Sequence, residues 1–82
     1  MKIGDFFTKN PESFALVYDD PLNGLSNEEL YDGTIMVMLA EPECVQQVLV
    51  HGAPGDCLML CKVLMDDGRI RWVEKKHLLS LD

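Results

Sequence analysis

The chain has no apolar run near the roughly 18 residues a membrane-spanning helix needs, so no transmembrane segment is expected. Its opening Met1-Lys2-Ile3-Gly4-Asp5 has no stretch of signal-peptide length, and Asp5 interrupts it early, which points to a cytoplasmic protein. GxGxxG, GK[ST] and GxSxG motifs are all missing, leaving no phosphate cradle and no nucleophile elbow. With two histidines and no oriented base beside a nucleophile, the sequence predicts a non-enzymatic protein without a cofactor. Eighty-two residues make one small domain, 1–82, whose core must be filled by side chains rather than by a substrate cavity.

Cysteine is sparse and odd in number: Cys44, Cys57 and Cys61, with no CxxC. Free thiols are the expected state, since a disulfide scaffold needs a denser, even set. Along one strand Cys57 and Cys61 stand about 13 Å apart, too far for a bridge or a shared ion. Structural zinc sites need closely spaced ligand pairs, and Cys44, His51, Cys57, Cys61 and His77 do not supply them, so no metal is expected.

Basic residues are also few, seven against fourteen acids, for a net charge of −7. That excess repels phosphate polymers and anionic membrane surfaces and disfavours nucleic acid as a partner. The charge is uneven: residues 1–44 carry two bases and nine acids, and residues 45–82 carry five of each. Arg69, Arg71, Lys75, Lys76 and His77 fall within nine residues and form a local basic ridge.

Against these absences stand 48% hydrophobic residues in short β-branched or aromatic runs, the composition of a folded β domain. An N-terminal strand or arm is expected within 1–12, around Ile3, Phe6 and Phe7. Strands are predicted at Phe14–Tyr18, Thr34–Leu39, Val45–His51, Cys57–Met65 and Arg69–Val73, separated by Asp-Pro, Glu-Pro and glycine-rich turns such as Gly52–Asp56. Helical spacing also fits part of 45–51 and 57–65; the valines and the following turn favour strand. Between them, Ser26 with Glu29 makes a capping box and Leu25 with Leu30 a hydrophobic staple, predicting one helical turn over 26–31.

Asp67-Gly68 between two apolar runs is a hairpin signal. A two-residue turn there pairs Asp66 with Arg69, Met65 with Ile70, Leu64 with Arg71, Val63 with Trp72 and Cys61 with Glu74. Cys61, Val63, Met65, Ile70 and Trp72 would then face the core, and Lys62, Arg69 and Arg71 would face water. Of the six aromatics, Tyr18 and Tyr31 flank the acidic, loop-rich region and are the candidates for an exposed recognition surface.

Ala15-Leu16-Val17-Tyr18-Asp19 resembles the ALYDY stretch of SH3-like barrels, and Glu29-Leu30-Tyr31-Asp32-Gly33 resembles the turn that follows it. Gly68 through Leu78 is similar to the family's later strand, helical turn and closing strand. The resemblance implies a mainly β, SH3-like small barrel of five to six short antiparallel strands, with a short 3-10 turn at 75–78. Glu74 stands where proline-peptide binders of the family carry a proline, Asp20 replaces a second tyrosine, and there is no tryptophan pair, so their peptide groove is not implied. The Lys2–Asp5 opening and the segment from Val63 to Leu81 also resemble short barrel proteins of bacteriophages and bacteria.

The function expected from these readings is an interaction module for a protein partner. Its candidate binding residues are Tyr18, Tyr31, Arg69, Arg71, Lys75 and Lys76. The alternatives are nucleic-acid binding through the 69–77 ridge, or a structural subunit of a phage or multiprotein particle.

Overall fold

A computed structural model describes residues 2–19, 28–48 and 54–81 of the chain. The protein is mainly β. Its strands are β1 (Phe6–Lys9), β2 (Ala15–Val17), β3 (Glu28–Leu30), β4 (Ile35–Met38), β5 (Glu43–Val48), β6 (Pro54–Leu64), β7 (Ile70–Glu74) and β8 (Leu78–Ser80). A 3-10 turn, Lys75–His77, separates β7 from β8, within the expected 75–78.

All pairings among the described residues are antiparallel. The main sheet runs β5-β6-β4-β1-β8, with β7 added on β6, while β2 and β3 form a separate ribbon. Tyr18 and Trp72 join the ribbon to β7 through two reciprocal backbone hydrogen bonds of 2.9 Å. The described pairings leave the sheet open, with β8 ending the path and no ladder returning it to β7 or the ribbon.

The core follows from alternation. Phe7 lies opposite Met36, Met38 opposite Val63, and Cys61 opposite Val73, so these side chains line one face of the main sheet. The ribbon covers that face with Ala15, Val17 and Leu30, and Leu78 closes its end. These ten side chains form one buried cluster with Met65 packed against it, the arrangement a small domain needs when little surface is available to bury.

Several expectations need correction. Glu28–Leu30 is a strand, not the end of a helical turn over 26–31; Leu25, Ser26 and Asn27 lie outside the described residues. An isolated turn fixes many torsions for one hydrogen bond. Pairing with β2 gives the backbone of Glu28–Leu30 ladder partners along one edge and buries Leu30 opposite Ala15. Pro54–Asp56, read as turn, opens β6, with proline at the first strand position where a missing N–H is tolerated. The rest of that turn and residues 49–51 of the predicted 45–51 strand lie outside the described residues.

The hairpin register is shifted by one residue. Leu64 pairs with Ile70, Val63 with Arg71, Lys62 with Trp72 and Cys61 with Val73. Met65 N–H donates to the Arg69 carbonyl at 2.8 Å and Gly68 N–H to the Met65 carbonyl at 3.0 Å, so the loop has three residues, Asp66-Asp67-Gly68. Gly68 adopts φ 87°, as the glycine ending such a loop must. The extra residue exchanges the faces of β7: Arg71 and Val73 point inward, Ile70 is half exposed and Trp72 half-buried.

Cys44 and Cys57 are joined by a disulfide with Cα atoms 6.2 Å apart, and Cys61 alone is a free, buried thiol. Spacing along one strand misses this pair because the bridge crosses between strands. In the β5-β6 ladder Cys44 pairs with Met59 and Gln46 with Cys57, which makes the two cysteines diagonal neighbours.

Candidate functional site

The predicted binding residues do not assemble into one surface. Tyr18 is buried at 7% exposure, and burial, then the Glu74 carboxylate, raises its phenol above the ordinary value against the opposing pull of Lys76. It fastens the ribbon to β7 and offers no ring to a partner.

Arg71 is 3% exposed, because the observed register turns it toward the ribbon. Its Nε donates to Asp19 Oδ1 at 2.7 Å and its Nη1 to Glu28 Oε2 at 2.5 Å. These bonds hold the Asp19 and Glu28 carboxyls below the usual carboxylate range and push the guanidinium up. Arg69 reaches Asp67 at 3.0 Å and Glu28 at 3.6 Å, and its backbone N–H and then its side chain lower Asp67 in turn. The acidic first half and the basic ridge therefore meet inside one molecule. Lys75 and Lys76 stay exposed on the 3-10 turn, Lys76 lying 3.3 Å from Glu74.

Tyr31 has a different setting. The β2-β3 register places Ala15 opposite Leu30 and Leu16 opposite Glu29, so Phe14 and Tyr31 fall opposite each other just beyond the ladder. The two residues are 67% and 68% exposed and line a groove of about 470 Å³. Pro11, Glu12 and Ser13 form one wall, and Glu29, Leu30 and Asp32 the other.

A buried cation builds the first wall. Lys9 is 5% exposed on the inward face of β1, and its Nζ donates to the carbonyls of Asn10, at 2.8 Å, and Ser13, and pairs with Asp32 at 2.6 Å. Within the loop, Asn10 Oδ1 accepts the Glu12 N–H at 3.0 Å and the Asn10 carbonyl accepts the Ser13 N–H at 3.0 Å. The loop is thus held from below, and Glu12 and Glu29 at the rim match the acidic sign of the whole chain. Phe14, Glu12, Glu29 and Asp32 are not among the binding residues expected from the sequence, where Glu29 stands as a helix-capping residue. Only the alternation of inward Ala15 and Val17 with Phe14 and Leu16 hinted at the exposed ring.

A second groove, of about 570 Å³, lies on the main sheet between Glu41, Glu43 and Val45 on one side and Leu60, Lys62 and Trp72 on the other. Lys62 Nζ stands 5.9 Å from the centroid of the Trp72 ring, within cation–π range. Among the described residues no three metal-ligating side chains converge, and no helix is long and apolar enough to cross a membrane.

No family model, curated protein or solved structure matches this chain. What the described residues define is a small antiparallel β domain with open surface clefts beside Phe14 and Tyr31 and beside Trp72.

Proposed function

We propose that this protein is a non-enzymatic interaction module of SH3-like design that binds a basic, extended segment of a protein partner in the groove between Phe14 and Tyr31. The observation that carries this reading is that two aromatic residues, Phe14 and Tyr31, each about two-thirds exposed, line one groove together with the carboxylates of Glu12 and Glu29. Aromatic faces and carboxylates together favour a Lys or Arg side chain: the stem packs on the rings and the head meets the acids. The volume falls within the range of specific binding clefts. A net charge of −7 draws a basic partner from a distance and repels nucleic acid.

Nucleic-acid binding through 69–77 loses support because Arg69 and Arg71 are already bonded to carboxylates of the same chain. A cytoplasmic location goes with this reading only if the Cys44–Cys57 bridge stands open there, since disulfides are rare in reducing compartments.

Selection from a displayed library of extended peptides tests the proposal. Enrichment of Lys- or Arg-containing sequences, with binding lost in Tyr31→Ala and Phe14→Ala, is expected. Enrichment of acidic sequences, or binding unchanged in both variants, contradicts it.

A further inference from the structure

β5 ends the main sheet, and among the described residues it pairs with β6 alone. β6 meets β7 over 60–64 and β4 at 63–64, so its first half has β5 as its one ladder partner among those residues. Residues 44–48 and 54–59 therefore form a two-stranded arm on the body of the domain. Such a ribbon is marginal in water unless a further strand or a helix packs on it. Its ladder is also irregular between Gln46 and Val48. The buried cluster draws on every strand of the protein except β5. What crosses the arm covalently is the Cys44–Cys57 disulfide.

We propose that this bridge is a redox latch on the Trp72 groove: closed, it holds β5 against β6 as one wall, and open, it releases β5 and widens the groove. β5 brings Glu43, Cys44 and Val45 to the groove, while β6 and β7 bring Leu60, Lys62 and Trp72, so a link between β5 and β6 fixes one side to the other. Leu60 stands outside the core cluster, yet it is 1% exposed, paired with Glu43 of β5 on one side and Glu74 of β7 on the other. Departure of β5 leaves Leu60 with a neighbouring strand on one side only. The core, built without β5, stays intact in both states.

The chemistry is reversible exchange with a dithiol reductant. A thiolate of the reductant attacks one sulfur of the bridge, forms a mixed disulfide and expels the other cysteine as a thiolate, which takes up a proton. The second thiolate of the reductant then closes the reductant's own disulfide and frees the remaining cysteine, so that the protein gains two electrons and two protons and the reductant loses them. Cys44 and Cys57 are both exposed, which gives the attacking thiolate access. Cys61 does not compete for the bridge: it is buried opposite Val73 and lies about 13 Å along β6 from Cys57.

Trp72 is the only tryptophan in the chain and lines the groove, so its emission reports the state of the wall. Amide hydrogen exchange and Trp72 emission of the full chain, oxidised and after reduction with dithiothreitol, decide the matter. The cysteines are 13 positions apart. For a loop of that length, loss of the cross-link is expected to speed exchange over residues 44–48 on the order of 100-fold. Exchange in Ile35–Met38 and Ile70–Glu74 should stay as it was, Trp72 emission should shift to the red, and reoxidation should reverse both changes. Cys44→Ser/Cys57→Ser should match the reduced parent with or without dithiothreitol. Protection over 44–48 that reduction leaves unchanged, an equal loss of protection in every strand, or an oxidised chain whose mass shows both thiols free overturns the proposal.

Discussion

Arg71 Nε lies 2.7 Å from Asp19 Oδ1, a bond across 52 positions of sequence that ties the basic second half of the chain to the acidic first half. The two ends of this bond differ in environment: the Arg71 side chain is 3% exposed and that of Asp19 is 74% exposed. Removing Arg71 leaves carboxylates that water can solvate, whereas neutralising both acids leaves a buried guanidinium without a counter-charge. Arg71→Met is therefore expected to unfold at a higher urea concentration than the double variant Asp19→Asn/Glu28→Gln. Equilibrium urea curves for both proteins check this order.

Acid should destabilise the protein in two stages. His77 is lowered from its ordinary value, chiefly by burial, with Glu74 opposing and Lys76 and Lys9 adding to the effect. The unfolded chain takes up that proton first, so this contribution is complete above about pH 6.5 and is lost as pH falls through the lower folded value. Asp19, Glu28 and Asp67 are also lowered, so their contribution is complete above about pH 4 and is lost as pH falls through their folded values. Urea midpoints measured against pH should show both declines, with the upper one missing in His77→Gln.

Gly68→Ala probes the three-residue loop. The added methyl group meets no atom within 4 Å, so only the φ of 87° opposes it. The expected loss is about 1–2 kcal/mol, the cost of left-handed backbone for a residue with a Cβ, and Gly68→Asn should lose less. Thermal or urea denaturation of the two variants measures it.

The thiols should titrate in separate classes. Cys61 is buried and burial raises its pKa, with Lys75 opposing, so it reacts slowly in the folded state. Cys44 and Cys57 are exposed and bonded to each other. Ellman's reagent should find no fast thiol in the folded oxidised protein, one after unfolding in denaturant, and two fast thiols after mild reduction of the folded protein.

Much of the architecture is readable in the sequence because strand signals are local. Alternating or continuous apolar runs marked the strands containing Ala15–Val17, Ile35–Met38, Cys57–Leu64 and Ile70–Val73, and all four are strands. What escaped depends on partners far apart in the chain. Asp67-Gly68 fits a two-residue turn and a three-residue loop equally well, and one residue decides whether Trp72 or Arg71 faces inward. Ser26 with Glu29 is a sound local helix start, yet Leu30 is better buried on Ala15 of a strand fifteen positions earlier. The Cys44–Cys57 bridge and the Phe14–Tyr31 groove likewise exist only once two strands are in register.

The proposed binding puts a basic partner segment on the acidic, aromatic groove and not on the basic ridge. Amide chemical-shift mapping of the nitrogen-15-labelled protein, titrated with an arginine-containing extended peptide, tests it most directly. Binding in that groove gives shifts centred on residues 11–14 and 29–32 that weaken as salt is added. Shifts centred on residues 69–76, or none at any peptide concentration, contradict it.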